Sequence, residues 1–267
     1  MDVREYVYST VVGVPLKADV HYKSLTDDGV KEAGPIIIII YSGGFVNRSK
    51  TGVSKARLKS LIHEFGFTVM VPDYRHCPTV SLIKGPIPDI HACFSWKCKE
   101  VRVIGSSVGG NLALHLGSAT SPPTAIVSYF PAVYLDDQFW HSPMEVFSQV
   151  LRFPQAFLNK VNSKSVITST PSSFKRLPGS PEPMPDLSRP QNAYLLSNLR
   201  DRTLFRNIVQ DGNYKRVNPV ELFSAKFPLT CFIHGTEDKM ALPRFSKAAY
   251  KFLRSFDVNS ELLVADS

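Results

Sequence analysis

The clearest pattern along the chain is a switch from alternating to continuous apolar positions. Leu16, Ala18, Val20 and Tyr22 alternate with polar neighbours, as in an antiparallel strand with one wet face, and Val7 to Val11 reads as its partner across Gly13. After the polar loop Thr26-Asp27-Asp28-Gly29, the run Pro35 to Tyr41, with five consecutive isoleucines, is apolar on both faces. Such a run predicts a central parallel strand covered by helices on each side. Phe67 to Val71, Val101 to Ile104 and Thr124 to Phe130 read as further buried strands. Helical segments fall between them: Val53 to Phe65, with Leu58, Leu61, Ile62 and Phe65 on one stripe, then Pro86 to Cys98 and Gly109 to Gly117. The alternation predicts an α/β fold built on a doubly wound, mostly parallel sheet.

The pattern breaks between residues 134 and 218. Aromatic-rich helical pieces, Phe139 to Phe157 and Asn192 to Val209, flank a tract holding Pro171, Pro178, Pro181, Pro183, Pro185 and Pro190. A tract this rich in proline cannot supply the N–H groups of a sheet and reads as an irregular, partly helical cap. The sheet pattern then resumes with Leu229 to His234, an amphipathic helix over Leu242 to Phe256, and Glu261 to Ala265. The chain therefore divides into an N-terminal core part (1–133), a cap insertion (134–218) and a C-terminal core part (219–267), around one core of the size that 267 residues can bury.

Composition narrows the classes. The net charge of +8 comes from dispersed lysines and arginines, with no run of five and no basic-aromatic stripe, so it describes a solvated face rather than a nucleic-acid surface. The longest apolar run is too short for a membrane span. The opening MDVREYVYST has no apolar signal region, so the expected location is cytoplasmic. Cys77, Cys93, Cys98 and Cys231 have no metal-ligand or CxxC spacing and read as reduced thiols.

Candidate chemistry sits at strand ends. Gly105-Ser106-Ser107-Val108-Gly109-Gly110 matches G-x-S-x-G between a strand and a helix, the turn that exposes a nucleophilic serine, here Ser107. Tyr41-Ser42-Gly43-Gly44-Phe45 follows the first central strand. Its glycines let the backbone approach a developing oxyanion, so the N–H groups of Gly43, Gly44 and Val108 form the candidate oxyanion hole. In Phe232-Ile233-His234-Gly235-Thr236-Glu237-Asp238, Asp238 is the candidate acid and Glu237 its alternative, while His234, before the turn, reads as structural. The aromatics Phe139, Trp140, Phe147, Phe153 and Phe157 suit an apolar acyl or aryl group, although such a stripe also serves plain packing.

Four segments in order, YSGGF (41–45), PDYR (72–75), GSSVGG (105–110) and HGTEDKMALP (234–243), resemble the hormone-sensitive-lipase-like branch of the α/β-hydrolase esterases over nearly the whole chain. The resemblance implies hydrolysis of small carboxylic esters through an acyl-enzyme on Ser107, with no metal or organic cofactor, and a cap inserted after the sixth strand. Three features depart from the family. Tyr41 and Ser42 replace its His and first Gly. The link from Asp89 to Val101 is short, which is expected to distort the sheet or to mark a missing segment. The general base belongs just after Leu262-Leu263-Val264, where none of the seven histidines lies. His141, in the cap, is the remote substitute. Loss of one triad member typically costs about 10⁴–10⁶ in kcat. Two expectations follow: an esterase whose sequence is truncated here, or a catalytically inactive hydrolase-fold protein that binds an acyl ligand or a partner.

Overall fold

In the computed structural model the isoleucine run forms the middle of an eight-stranded sheet. The structure describes residues 1–24, 34–96, 100–144, 147–162, 165–170, 174–175 and 184–266; the Thr26–Gly29 loop and Cys98 lie outside them. Strands β1 (Asp2–Val11) and β2 (Val14–Tyr22) form an antiparallel hairpin turned by Val12 and Gly13, both at positive φ. Then come β3 (Ile36–Ile40), β4 (Thr68–Pro72), β5 (Val101–Ser106) and β6 (Ala125–Tyr129). A two-residue pair, β7 (Phe174–Lys175) and β8 (Met184–Pro185), stands apart from the sheet. Strands β9 (Leu229–Gly235) and β10 (Ser260–Ala265) complete the main sheet, in the order β1-β2-β4-β3-β5-β6-β9-β10. From β4 to β10 every pairing is parallel.

Helices cover the two faces unequally. On one face α1 (Lys55–His63) packs Leu58 and Ile62 on Ile37, Ile39, Val69 and Val71. On the other, α2 (Pro86–Ser95), α3 (Val108–His115) and α7 (Pro243–Arg254) join the larger core with Ile38, Ile40, Val103, Ile126 and Phe232. The alternating burial of β5, β6 and β9 follows from this: residues facing the three-helix side are buried, and their neighbours are only half covered. Strand β10 is the edge, with Leu263 52% exposed.

Three expectations need correcting. The short link before β5 does not distort the sheet, because β3 and β5 stay in register from Ile36↔Val101 to Ile40↔Gly105. Phe65 is not on the buried stripe of α1: the helix ends at His63, Gly66 turns the chain at φ +74°, and Phe65 is left 65% exposed. The two cap segments are not continuous helices. Residues 138–141 make one 3₁₀ turn, and α4 (Gln155–Leu158) begins only after Pro154, whose ring cannot sit inside a helix. The segment from Asn192 is split at Arg202, which takes the left-handed conformation between α5 (Pro190–Asp201) and α6 (Leu204–Ile208).

Candidate active site

The carboxyl ends of β3, β5 and β9 all open on the same edge, as parallel strands require. At the end of β5 the chain turns sharply into α3, and Ser107 carries the turn at φ 54°, ψ −121°, a conformation that costs a non-glycine residue and holds its side chain at a tight corner. The corner is locked on both sides. Ser107 N–H donates to the Tyr129 carbonyl at the end of β6 (2.9 Å), and the Ser107 carbonyl accepts from Asn111 (3.1 Å) and Ala132 (3.3 Å).

The neighbouring glycines are required by space. A Cβ on Gly105 would stand 2.7 Å from Gly110 N, and one on Gly109 would stand 2.5 Å from the Tyr41 carbonyl. That second contact brings the start of α3 onto the exit of β3. The turn leaving β3 therefore adjoins the serine corner. Gly43 (φ 129°) and Gly44 (φ 64°) both occupy positive φ, and the Gly43 carbonyl caps the turn by accepting from Val46 (3.1 Å) and Asn47 (3.0 Å).

A buried framework behind this turn was invisible in the sequence. The Cys77 amide donates to the Phe45 carbonyl (2.8 Å), and the Lys50 amide donates to Asp73 Oδ1 (2.7 Å). The Tyr41 hydroxyl lies 3.2 Å from His76 Nε2, and Thr170 Oγ1 lies 3.4 Å from His76 Nδ1. Burial lowers the His76 pKa to about 3, so the ring is neutral, and burial raises that of Asp73 to about 6. Arg75 is buried with Asp89, whose carboxylate accepts from Nε (2.9 Å) and Nη2 (2.6 Å) side by side. Tyr41 thus takes a defined place in this framework. No short motif signals these pairs, which join residues far apart in sequence.

Asp238 lies at the exit of β9, two strands from Ser107. Its Oδ1 accepts from the amides of Met240 (2.7 Å) and Ala241 (3.0 Å), and its Oδ2 is 3.4 Å from His234 Nε2. Glu237, the alternative acid, is exposed. His234 is fully buried, 2.7 Å from both Ser246 Oγ and the Ala241 carbonyl, as a structural histidine would be. The structure sets the start of α3, at Gly109, against the exit of β3 at Tyr41, and among the described residues no hydrogen bond joins Asp238 to Ser107. Among the described residues no histidine hydrogen-bonds Ser107. His115 is buried with its Nε2 3.1 Å from the Val217 carbonyl, and His141 Nε2 is 2.9 Å from the Leu135 carbonyl. The carboxyl end of β10 lies beside that of β9, with Ala265 opposite Gly235 and Thr236 N–H donating to the Ala265 carbonyl (2.9 Å).

Helices α5 and α6 lie over the same edge. A Cβ on Gly44 would meet Leu195 of α5 and stand 3.5 Å from Leu204 of α6. Phe139 and Trp140 pack on Phe245 of α7, and Trp140 also on Phe205. No helix among the described residues is long and apolar enough to cross a membrane.

Comparison with solved structures gives the architecture its class. The chain is similar to a Staphylococcus aureus protein of unknown function (TM-score 0.76, 12% identity, 99% of this chain and 89% of that one). It is also similar to an alpha/beta hydrolase superfamily protein from Enterococcus faecalis (0.67, 16%, 99% and 90%) and to a lipase/esterase from Lactobacillus plantarum (0.64, 15%, 100% and 90%). The chain has the α/β-hydrolase fold. No family model matches it. Among curated proteins it is 29% identical over 201 residues to the non-reducing polyketide synthase ausA of Penicillium brasilianum, covering 65% of this chain and 8% of that protein. It is 31% identical over 159 residues to the 5-methylorsellinic acid synthase of Aspergillus terreus, covering 51% and 6%. The chain spans less than a tenth of the length of these relatives.

Proposed function

We propose that the chain is the catalytic module of a serine hydrolase acting on small carboxylic esters. Ser107 is the nucleophile, the N–H groups of Gly43, Gly44 and Val108 receive the oxyanion, and Asp238 is the acid. The observation that carries this reading is the corner at Ser107: a non-glycine residue at positive φ on a parallel-strand exit, followed by Gly109 packed against the carbonyl of Tyr41 where β3 ends. Such strain recurs where a side chain must be presented to a substrate. Attack by the hydroxyl on the ester carbonyl would place the developing charge against backbone N–H groups, the largest single contribution in acyl transfer.

No residue of this sequence is assigned the role of base. The carboxyl end of β10 lies beside Gly235 and Thr236, just before Asp238, and the family resemblance places the histidine after that strand. The insertion, 134–218, acts as a lid over the acyl group, and its aromatic content favours an apolar acyl or aryl ester. Relatives named as polyketide synthases make an acyl group of polyketide type a reasonable first substrate to assay.

The test is labelling by a fluorophosphonate together with p-nitrophenyl ester turnover. Weak labelling of the 267-residue chain that is lost in Ser107→Ala, and that strengthens when residues including a histidine follow Ser267, supports the reading. Labelling that persists in Ser107→Ala overturns it. One observation favours a second reading, an inactive hydrolase-fold protein that binds an acyl ligand: both Asp238 oxygens already face partners in their own turn. An extended chain that stays unlabelled would favour that second reading.

A further inference from the structure

Two arginines among the described residues are buried, and they present the same edge to different surroundings. Arg75 directs Nε and Nη2 at Asp89, and the carboxylate fills that edge. Arg202 is 3% exposed, yet among the described residues its Nε and Nη2 have no hydrogen-bond partner. Its guanidinium carbon stands 4.4 Å from the Phe139 ring centre and 5.7 Å from that of Trp140, so one face is stacked while the donor edge stays unmet. A buried charge with idle donors is costly, and stacking on aromatic rings returns only part of that cost. Burial lowers its pKa to about 10, which leaves it charged at neutral pH.

Its position is tied to the candidate active site. Arg202 forms the left-handed break between α5 and α6, and those helices supply the Leu195 and Leu204 that cover Gly44. From below, Trp140 Nε1 donates to the Val133 carbonyl (2.9 Å), and the preceding residue, Ala132, donates to the Ser107 carbonyl (3.3 Å). We infer that Arg202 forms a carboxylate-binding subsite, in which a ligand carboxylate accepts from Nε–H and Nη2–H side by side, as Asp89 does from Arg75. A planar two-oxygen acceptor is what this edge of a guanidinium matches. Through the ester-hydrolase reading, on which only this last step rests, the substrate becomes an ester that also bears a free carboxylate.

Binding is measured without turnover, so the outcome is separate from the fate of Ser107 as nucleophile. The full chain is titrated calorimetrically with benzoate and with acetate, benzamide serving as the neutral counterpart of benzoate. Saturable binding of either carboxylate is expected, with benzamide at least tenfold weaker than benzoate, and Arg202→Gln should weaken it by about 10- to 100-fold. Arg202→Lys, which keeps the charge but not the paired edge, should fall between, and it stands in should the Gln variant fail to fold. Without ligand, Arg202→Met should melt at or above the wild-type temperature, because no protein acceptor loses its partner. Absence of carboxylate binding, equal binding of benzoate and benzamide, unchanged affinity in Arg202→Gln, or a lower melting temperature for Arg202→Met would each overturn the proposal.

Discussion

The region around the exits of β3 and β5 and the helices α5 and α6 above it bury charged groups in opposite ways. Below, Arg75 has Asp89, the Asp73 carboxylate has the Lys50 amide, and His76 has Tyr41 and Thr170. Above, Arg202 is buried without an acceptor. The lower region has little latitude, since its backbone segments touch where glycines permit it. Helices α5 and α6, joined at Arg202, keep one charge unanswered among the described residues. A group satisfied by its own chain supports the fold, whereas a group the chain leaves unsatisfied at a strand-exit edge is suited to a ligand.

The sharpest way to break this contrast is to make Arg75 resemble Arg202. Asp89→Ala removes the carboxylate and leaves an uncompensated buried guanidinium, for which about 3–5 kcal/mol of stability should be lost in urea titration. A loss near zero would mean that the pairing does not distinguish the two arginines. Next in size is Gly109→Ala, whose new methyl would press on the β3 backbone at Tyr41. A loss of about 3 kcal/mol, with a lower melting temperature, is expected from forced overpacking.

A smaller effect depends on pH. His76 has a folded pKa of about 3, far below its ordinary 6.5. The unfolded chain therefore takes up a proton first as pH falls, and stability is lost progressively from about pH 6.5 down towards 3. Between pH 7 and 5 this one ring should cost about 2 kcal/mol. Asp73, raised to about 6, acts in the opposite sense: its folded form takes the proton first, so stability rises as pH falls from 6 towards 3.8. The buried His115, with a pKa lowered to about 4, adds to the loss. Urea midpoints at pH 7 and 5 should therefore lie closer together in His76→Gln than in the wild type, and an unchanged gap would refute the assignment. Smallest of all is Phe153→Ala: this half-buried ring stacks on Phe157 within the insertion, and about 1 kcal/mol or less should be lost.

Much of this was legible in the sequence, and for a definite reason. Period-two and continuous apolar runs report which faces of a strand are covered, so the β1–β2 hairpin, the central isoleucine strand and the parallel order of a hydrolase-type sheet could be read from local pattern. Gly43, Gly44, Gly105 and Gly109 were legible because close backbone approach admits no other residue. Only the tertiary structure decided the rest. That Asp89 meets Arg75, that Tyr41 faces His76, that Phe139 and Trp140 pack on Phe245, and that Arg202 has no acceptor are facts about residues brought together from distant parts of the chain. Pairing across such separations is set by how helices seat on the sheet, and a run of neighbours carries no record of it. The break at Arg202 shows the limit most plainly: the apolar spacing of 192–209 reads as helical, yet the chain turns left-handed at Arg202, whose guanidinium lies over Phe139 and Trp140 from elsewhere in the chain.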